Sequence, residues 1–286
     1  MYTAKIQNSS GDVYLLDNQE NNWQVASIRG LNPPQGQVNL TTIVGLDGAV
    51  YNSAKLETRE IVITIRITGD AEANRLTLYR AFRTKEWCRF YYSNGAVDVW
   101  IDGYVQNVEC DLFQMAEVAQ ISIICPQPYF KSVEEVIADI SSRTALFTFP
   151  FTINESDPIP ISSYDADATA TVINKTATPT GVIIEMDFQG AVNKITVQNT
   201  DTAEHITLNY NFIEGDRVTI NTNPGEKSVR LTRNGETASI FSAVELGSVF
   251  FQLAAGSNSF GYAADDGLSN GNVYIFFRFW NQYRGV

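Results

Sequence analysis

Histidine and cysteine are scarce in this sequence, and their scarcity removes several classes of function. The 286 residues include one histidine and three cysteines. A zinc site takes about four cysteine or histidine ligands at short spacings, whereas Cys88, Cys110 and Cys125 are far apart in the sequence. Their odd number also argues against a secreted disulfide framework. We therefore expect no metal, no cofactor and three free thiols.

Basic residues are too few for a nucleic-acid-binding surface. The chain has 20 lysine and arginine residues against 32 aspartate and glutamate residues, a formal net charge of −12. Binding to phosphates requires clustered basic residues that displace counterions. We expect no sequence-specific nucleic-acid partner. Eight of the ten basic residues within 1–130 lie between positions 55 and 89, which makes that segment a candidate contact for an acidic neighbour.

Long apolar runs are also missing. No run approaches the roughly 18–20 residues that span a bilayer, and residues 1–11 lack the apolar segment of a signal peptide. The sequence predicts no membrane insertion, and synthesis and folding in a cytoplasm.

Three segments are candidates for catalysis, phosphate binding or calcium binding, and none has the residue pattern that its function requires. His205 lies among alternating apolar residues, which is typical of a strand rather than of a general base. In residues 224–228, Glu226 separates the glycine from the lysine, unlike in a phosphate-binding loop. Residues 165–169 begin like a calcium loop, but the turn glycine and the closing glutamate are missing. We predict no catalytic, cofactor or metal residues and no enzyme activity; the binding residues remain unassigned.

Threonine, valine, isoleucine and aromatic residues recur between glycine and asparagine turns, which predicts a mainly β protein with one helix. Residues 60–68 carry isoleucine at every second position, the clearest strand pattern in the chain. Directly afterwards, Asp70 is a suitable N-cap for a helix that extends to Phe82.

Turn signals divide the remaining segments into hairpins. Asn94-Gly95 and Asn234-Gly235 each supply residues that accept positive φ in a tight hairpin turn. A turn near Gly11 predicts another hairpin within residues 5–24. The further strands predicted are 87–92, 96–101, 104–110, 118–125, 168–173, 181–188, 193–197, 205–210, 217–221, 229–231, 237–240, 249–253 and 273–279.

The predicted domain boundary follows Pro126 and Pro128, which end the first run of strands. Residues 131–142 fit either a helix or a strand. The expected domains are 1–130 and 131–286. The short, regularly spaced strands of the second indicate a β-sandwich.

The aromatic residues near position 280 have two interpretations. They are Phe276, Phe277, Phe279, Trp280 and Tyr283. Exposed rings would form a platform that stacks on sugars, whereas a buried final strand would place them in a core. Burial statistics favour the second interpretation.

The order of several short motifs resembles the distal tail proteins of long-tailed, siphovirus-type bacteriophages. These motifs are Gly45-Leu46-Asp47-Gly48, residues 56–61, the helix 70–82, residues 90–95, residues 101–105, residues 123–130 and the segments 272–276 and 283–286. Residues 123–130, which close the ring domain in that family, are the most specific of them. The resemblance is concentrated in residues 1–130.

The resemblance implies a structural role. The expected protein is a hexameric ring hub that connects the tail tube to the tip and to the host-adsorption apparatus. Residues 1–130 would be a ring-forming β-barrel or sandwich, and residues 131–286 a galectin-like β-sandwich. The implied partners are further copies of the chain, a tail-tube protein, a tail-tip (tail-associated) protein and a receptor-binding protein. The implied location is the virion tail tip, after synthesis in the bacterial host cytoplasm. The alternative is a carbohydrate-binding module that contacts cell-wall sugars of the host.

Overall fold

A computed structural model of the chain describes residues 2–16, 22–45, 47–111, 117–141, 143–145, 162–164, 170–266 and 272–286. The chain forms two compact units. Unit 1 contains Met1–Glu134 and Gln282–Val286, and unit 2 contains Glu135–Asn281. The division thus falls later than the predicted boundary at 130/131. Residues 282–286 belong to unit 1, not to the predicted second domain.

Unit 1 is an antiparallel β structure with one helix among its described residues. Its elements are β1 Thr3–Asn8, β2 Val13–Leu16, β3 Trp23–Arg29, β4 Gly36–Thr41, β5 Val50–Leu56, β6 Arg59–Ile67, α1 Ala71–Ala81, β7 Trp87–Ser93, β8 Asp98–Cys110, β9 Glu117–Cys125 and the first part of β10, Phe130–Asp139. The main sheet has the order β2-β1-β7-β8-β9-β6-β3. Among the described residues, strands β4 and β5 pair only with each other.

The alternation in β6 is confirmed, and it explains why this strand lies in the middle of the unit 1 core. Its four isoleucines at alternate positions are all buried, and β6 pairs with β3 on one side and β9 on the other. Burying each such side chain contributes about 1.5–3 kcal/mol. The opposite face of β6 carries Glu60, Val62, Thr64 and Arg66, which are half-buried or exposed.

Helix α1 is also confirmed. The Asp70 side chain accepts a hydrogen bond from the Ala73 backbone N–H at 3.2 Å, which satisfies one of the free donors of the first turn. Leu78 and Ala81 are buried and pack in the unit 1 core. No helix among the described residues is long and apolar enough to cross a membrane.

The hairpin between β7 and β8 forms at the predicted place but with different turn geometry. Gly95 has a positive φ of 83°, whereas Asn94 does not. The Asn94 side-chain oxygen instead accepts hydrogen bonds from the backbone N–H groups of Ala96 and Val97 at 3.0 and 3.1 Å. At the second predicted site both Asn234 and Gly235 have positive φ, so that turn has the expected geometry.

We expect Asn94→Pro to destabilise unit 1 by at least about 1 kcal/mol. Proline has no backbone N–H, so the hydrogen bond from Asn94 N–H to the Val97 carbonyl (3.2 Å) is lost together with both side-chain contacts. Urea denaturation measures the change. Asn94→Asp is the matched control because it keeps the accepting oxygen. Equal midpoints for wild type and Asn94→Pro would mean that this turn contributes nothing.

Unit 2 is a β-sandwich. Its elements are the remainder of β10, then β11 Arg143–Ala145, β12 Ser162–Tyr164, β13 Ala170–Asn174, β14 Ile183–Phe188, β15 Val192–Asn199, β16 His205–Phe212, β17 Arg217–Asn221, β18 Ser228–Arg233, β19 Glu236–Ser239, a 3₁₀ turn Phe241–Ala243, β20 Gly256–Asp266 and β21 Val273–Tyr283. One sheet contains β19-β18-β17-β14-β21 and the other β13-β20-β15-β16.

The two sheets of unit 2 share one hydrophobic core. The rings of Phe188 on β14 and Phe212 on β16 are stacked, with centroids 4.3 Å apart. Phe260 on β20 and Phe277 on β21 meet edge to face at 4.6 Å. Such pairs contribute about 0.5–1.5 kcal/mol beyond burial. The predicted fold class, mainly β with one helix, is confirmed.

The structure assigns one ambiguous segment to a strand and corrects two strand predictions. The ambiguous residues 131–142 are a strand as far as Asp139, in β10. The predicted strands 96–101 and 104–110 are one strand, β8, with an irregularity between Val105 and Asn107. Residues 249–253 are not a strand: Val249 donates to the His205 carbonyl at 2.8 Å and Leu253 forms an isolated bridge with Thr180, so the segment runs irregularly.

Candidate assembly interface

The β4–β5 hairpin, called the arm (residues 36–56), is the most exposed part of unit 1. Every described residue from 36 to 55 is exposed. The exposed apolar side chains are Val38, Leu40, Ile43, Val44, Val50 and Tyr51. The arm contains only two charged residues, Asp47 and Lys55. It therefore presents apolar side chains to solvent with little charge among them.

Contacts across the hairpin explain how the arm keeps its form without a core. The two strands pair from Gly36 opposite Leu56 to Thr41 opposite Val50, and the register shifts between Asn39 and Leu40. The Asn39 amide donates to the Ser53 hydroxyl at 3.0 Å, and the Asn52 amide donates to the Thr41 hydroxyl at 2.6 Å. An isolated two-stranded hairpin is only marginally stable in water. The arm thus gains stability when another surface covers it.

The arm is a candidate assembly interface. Contiguous exposed apolar surface marks sites of protein association, and unpaired strand edges are templates for pairing with another chain. The sequence pattern did not predict the arm as a surface. Only its tip, Gly45-Leu46-Asp47-Gly48, entered the family resemblance, with Leu46 outside the described residues. The signal was the combination of β-branched residues with almost no charge.

The basic segment 55–89 does not form the free basic patch that the sequence suggested. Arg75 pairs with Glu117 at 3.0 Å, and Arg89 forms a two-point contact with Asp102 at 2.7 and 3.0 Å. Arg83 lies 3.6 Å from Glu86, and Arg59 is buried. Half of the eight basic side chains are therefore engaged within unit 1, three with acidic side chains and Arg59 with backbone carbonyls.

Unit 2 has a polar cleft of about 340 Å³ at one end of its five-stranded sheet. Asp187, Asp216, Arg217, Thr232 and Asn234 are among the residues that line it. Arg217 contacts Asp187 through two hydrogen bonds, of 2.5 and 3.2 Å. The cleft thus offers hydroxyl, amide, carboxylate and guanidinium groups in one small volume, a set that suits a polar ligand.

Asp216 is the most buried charged group of this cleft. Its side chain is 1% exposed, and it accepts hydrogen bonds from Arg233 at 2.6 and 2.7 Å and from the Ile213 backbone N–H at 2.9 Å. Burial by itself would raise the pKa of Asp216. The hydrogen bonds from Arg233 and Ile213 and the Arg233 charge outweigh burial, so the pKa of Asp216 lies below its usual value.

His205 and residues 224–228, the candidates for catalysis and phosphate binding, lie at the start of a strand and in a turn. His205 begins β16, and its side chain is half-buried. Residues 224–228 form the turn between β17 and β18, where Gly225 has a φ of 84° and Glu226 N–H donates to the Asn223 carbonyl at 3.0 Å. Residues 165–169 lie outside the described part of the chain. Over the part that is described, no three histidine, cysteine, aspartate or glutamate side chains form a metal-binding group.

The aromatic residues near position 280 do not form a single platform. Phe277 and Phe279 are fully buried in the unit 2 core. Phe276 and Trp280 are half-buried at alternate positions of β21, and Tyr283 packs against the unit 1 core. Because side chains alternate along a strand, the five rings face in different directions.

The three cysteines are free thiols in the structure, with Cys88 and Cys125 buried and Cys110 half-buried. Burial raises the pKa of both Cys88 and Cys125 to about 12. We expect thiol titration without reductant to find three groups in the denatured protein. In the native protein at about pH 8, where buried thiols stay protonated, only Cys110 should react quickly. A single reactive group after denaturation would indicate a disulfide.

Comparisons with known proteins agree with the resemblance seen in the sequence. Residues 175–278 match the family described as siphovirus-type tail component, C-terminal domain. This match lies in unit 2, whereas the sequence motifs pointed mainly to residues 1–130. No curated protein matches the chain.

Solved structures match over almost the whole length. The crystal structure of the Dit (gp 19.1) protein of phage SPP1, described as a paradigm of the hub adsorption apparatus in phages infecting Gram-positive bacteria, has a TM-score of 0.71 at 15% identity. It covers 99% of both chains. A chain of the phage P2 baseplate in its activated conformation has a TM-score of 0.56 at 11% identity and covers 100% of both chains. The fold of the chain is therefore that of these tail proteins, and the resemblance to distal tail proteins is confirmed.

Proposed function

We propose that this chain is a structural subunit of a phage tail tip, whose copies close into a hexameric ring hub. In this proposal the ring connects the tail tube to the tip and to the host-adsorption apparatus. The similarity to siphovirus-type tail components and to a hub protein supports the class of function. The arm is the observation that carries the assembly role, because it exposes six apolar side chains with few charges among them.

A ring fits the geometry of one arm per subunit. In a closed ring each subunit meets its neighbour head to tail, so one subunit's arm lies on a different surface of the next. A stable contact of this kind buries more than about 1,000 Å². An extended arm, with strands about 20 Å long, contributes much of that area while the body of each subunit remains unchanged.

The remaining partners follow from this proposal. Unit 1 would form the ring and contact a tail-tube protein on one side and a tail-tip protein on the other. Unit 2, as a galectin-like sandwich, would hold a receptor-binding protein. The protein would act at the virion tail tip after synthesis in the host cytoplasm. Its role would be structural and not enzymatic.

The mass and symmetry of the purified full chain test the proposal. We expect light scattering to give about 191 kDa, six copies of the 31.8-kDa chain. Negative-stain electron microscopy should show rings with six-fold symmetry. A protein that stays monomeric at about 100 μM, well above the usual range for specific assembly, would contradict the proposal, and so would open filaments.

The polar cleft supports a second candidate function, carbohydrate binding by unit 2. The planar Arg217–Asp187 pair and the Thr232 and Asn234 side chains offer donors and acceptors that match vicinal sugar hydroxyls. Saturation-transfer NMR with glucose, galactose and N-acetylglucosamine tests this function. We expect transfer that disappears in Asp187→Ala. No transfer from any of the three sugars at about 10 mM, a concentration that detects even weak binding, would remove this candidate.

A further inference from the structure

The arm joins unit 1 through a narrow root. Glu57 N–H donates to the Gln35 carbonyl at 3.0 Å, and this is the first hydrogen bond beyond the paired residues Gly36 and Leu56. Residues 31–35 lead into the arm, and Arg59 follows it at the start of β6. The direction of the arm therefore depends on how residues 31–35 and 57–59 are held.

Arg59 holds this root from the inside. It is 2% exposed, and its guanidinium donates to the backbone carbonyls of Gly30, Asn32, Pro128 and Arg284. The bonds to Pro128 and Asn32 measure 2.8 and 2.6 Å. The guanidinium carbon also lies 4.4 Å from the centre of the Phe130 ring. A planar guanidinium with five donors joins several segments in a fixed geometry, which an ammonium group does not do.

Residues 284–286 contact the same root. Val286 N–H donates to the Leu31 carbonyl at 3.0 Å, and the Arg284 carbonyl accepts from Arg59. A Cβ atom on Gly285 would lie 2.9 Å from Pro33, so this backbone is in close contact with the residues that lead into the arm. Val286 also packs against the unit 1 core.

We propose that residues 284–286, together with Arg59, are positioning residues that fix the arm root and so favour assembly. The inference rests on the proposed function, since it assigns the arm an assembly contact. Its physical basis is preorganisation: a hinge at the root lets the far end of the arm sample many positions, and binding must then restrict them at a cost in entropy. A fixed root removes most of that cost before a neighbour arrives.

The position of residues 282–286 in the sequence determines when the arm root can be completed during synthesis. Residues 282–286 follow unit 2 in the sequence, whereas the arm and Arg59 precede it. A chain that has not yet been synthesised beyond unit 2 lacks both the Arg284 carbonyl and the Val286 N–H. Its arm root is then incomplete. Assembly is thereby favoured for subunits that already contain both units.

Deletion of residues 284–286 tests the proposal. We expect the deletion to accelerate hydrogen exchange of the Glu57 amide by at least about tenfold, and to raise the concentration for half-assembly by a similar factor, as loss of preorganisation predicts. Arg284→Ala is the matched control. It keeps the backbone carbonyl that Arg59 uses, so both measurements should equal those of the wild type.

Two further variants keep the test decisive if the deletion unfolds unit 1. Arg59→Lys retains the charge but not the planar fork, and Gly285→Ala introduces the contact with Pro33. Both should accelerate Glu57 exchange, whereas Gly36→Ala, whose Cβ would lie 4.0 Å from the nearest atom, should not. Unchanged Glu57 exchange in every folded variant overturns the positioning role. If the wild type does not assemble, the proposed function fails, while Glu57 exchange still decides the role of residues 284–286.

Discussion

Leu40→Lys combined with Val44→Lys should prevent ring assembly and leave a folded monomer of 31.8 kDa. Both side chains are exposed apolar residues of the arm, and Val44 is fully exposed. In the assembled ring they would lie in a contact from which water is excluded, where an unpaired ammonium group is strongly unfavourable. Central apolar contacts of an interface typically contribute 2 kcal/mol or more. The two changes should therefore raise the concentration for half-assembly by about a hundredfold or more.

Sedimentation velocity over a range of concentrations measures this effect. Leu246→Lys is the matched control because Leu246 is an equally exposed apolar residue in unit 2, outside the arm. We expect the control to assemble like the wild type. The melting temperature of the arm variant should stay close to that of the monomeric wild type, since residues 36–55 contribute nothing to the unit 1 core. Normal rings from the arm variant would show that the arm is not part of the interface.

Asp216→Ala should destabilise unit 2 by about 3 kcal/mol, the range for breaking a largely buried ion pair. The Asp216 side chain is 1% exposed and holds both Arg233 and the Ile213 backbone N–H. Removing the carboxylate removes the hydrogen bonds that it accepts from Arg233 and Ile213, and the Arg233 guanidinium keeps its bond to the Asn211 carbonyl at 3.2 Å. Asp187→Ala is the control: its partner Arg217 is 61% exposed, and such surface pairs contribute at most about 1 kcal/mol. Equal losses in the two variants would contradict the burial argument.

The effect of Asp216 should also depend on pH in a defined direction. Because the pKa of Asp216 is lower in the folded protein than its ordinary value of 3.8, its contribution is fully present above that value. The contribution is lost as the pH falls through the lower, folded-state pKa. Denaturation of the wild type and Asp216→Asn at pH 7 and at about pH 2 measures this. The difference between them should shrink at the lower pH, and a difference that grows would contradict the direction of the shift.

The sequence predicted those elements whose pattern is local and one-sided. The isoleucines of β6 alternate because one face of the strand meets the core and the other does not. Asp70 marks the start of α1 because a helix N-terminus needs an acceptor for its free N–H groups. Asn234-Gly235 marks a hairpin because few residues accept positive φ.

Elements without such a pattern were missed or misassigned. Strand β4 has no burial alternation, since both of its faces are exposed. Residues 249–253 have strand-like composition, but Val249 bonds to His205 of β16 whereas Leu253 pairs with Thr180, so the segment follows no single neighbouring strand. The polar cleft was not predicted either, because Asp187, Asp216 and Thr232 are distant in sequence and come together only through pairing of β14, β17 and β18.

By itself the sequence determined the mainly β class, helix α1, the main turns and the resemblance to tail proteins. Each of these depends on the order of residues over short distances. Only the tertiary structure decided which surfaces remain uncovered and which distant segments meet. Arg59 and Arg284 are 225 positions apart, and their contact follows from the return of residues 282–286 to unit 1. Burial and charge pairing are properties of that three-dimensional arrangement. The exposed arm and its fixed root, on which the proposed assembly depends, follow from the tertiary structure for this reason.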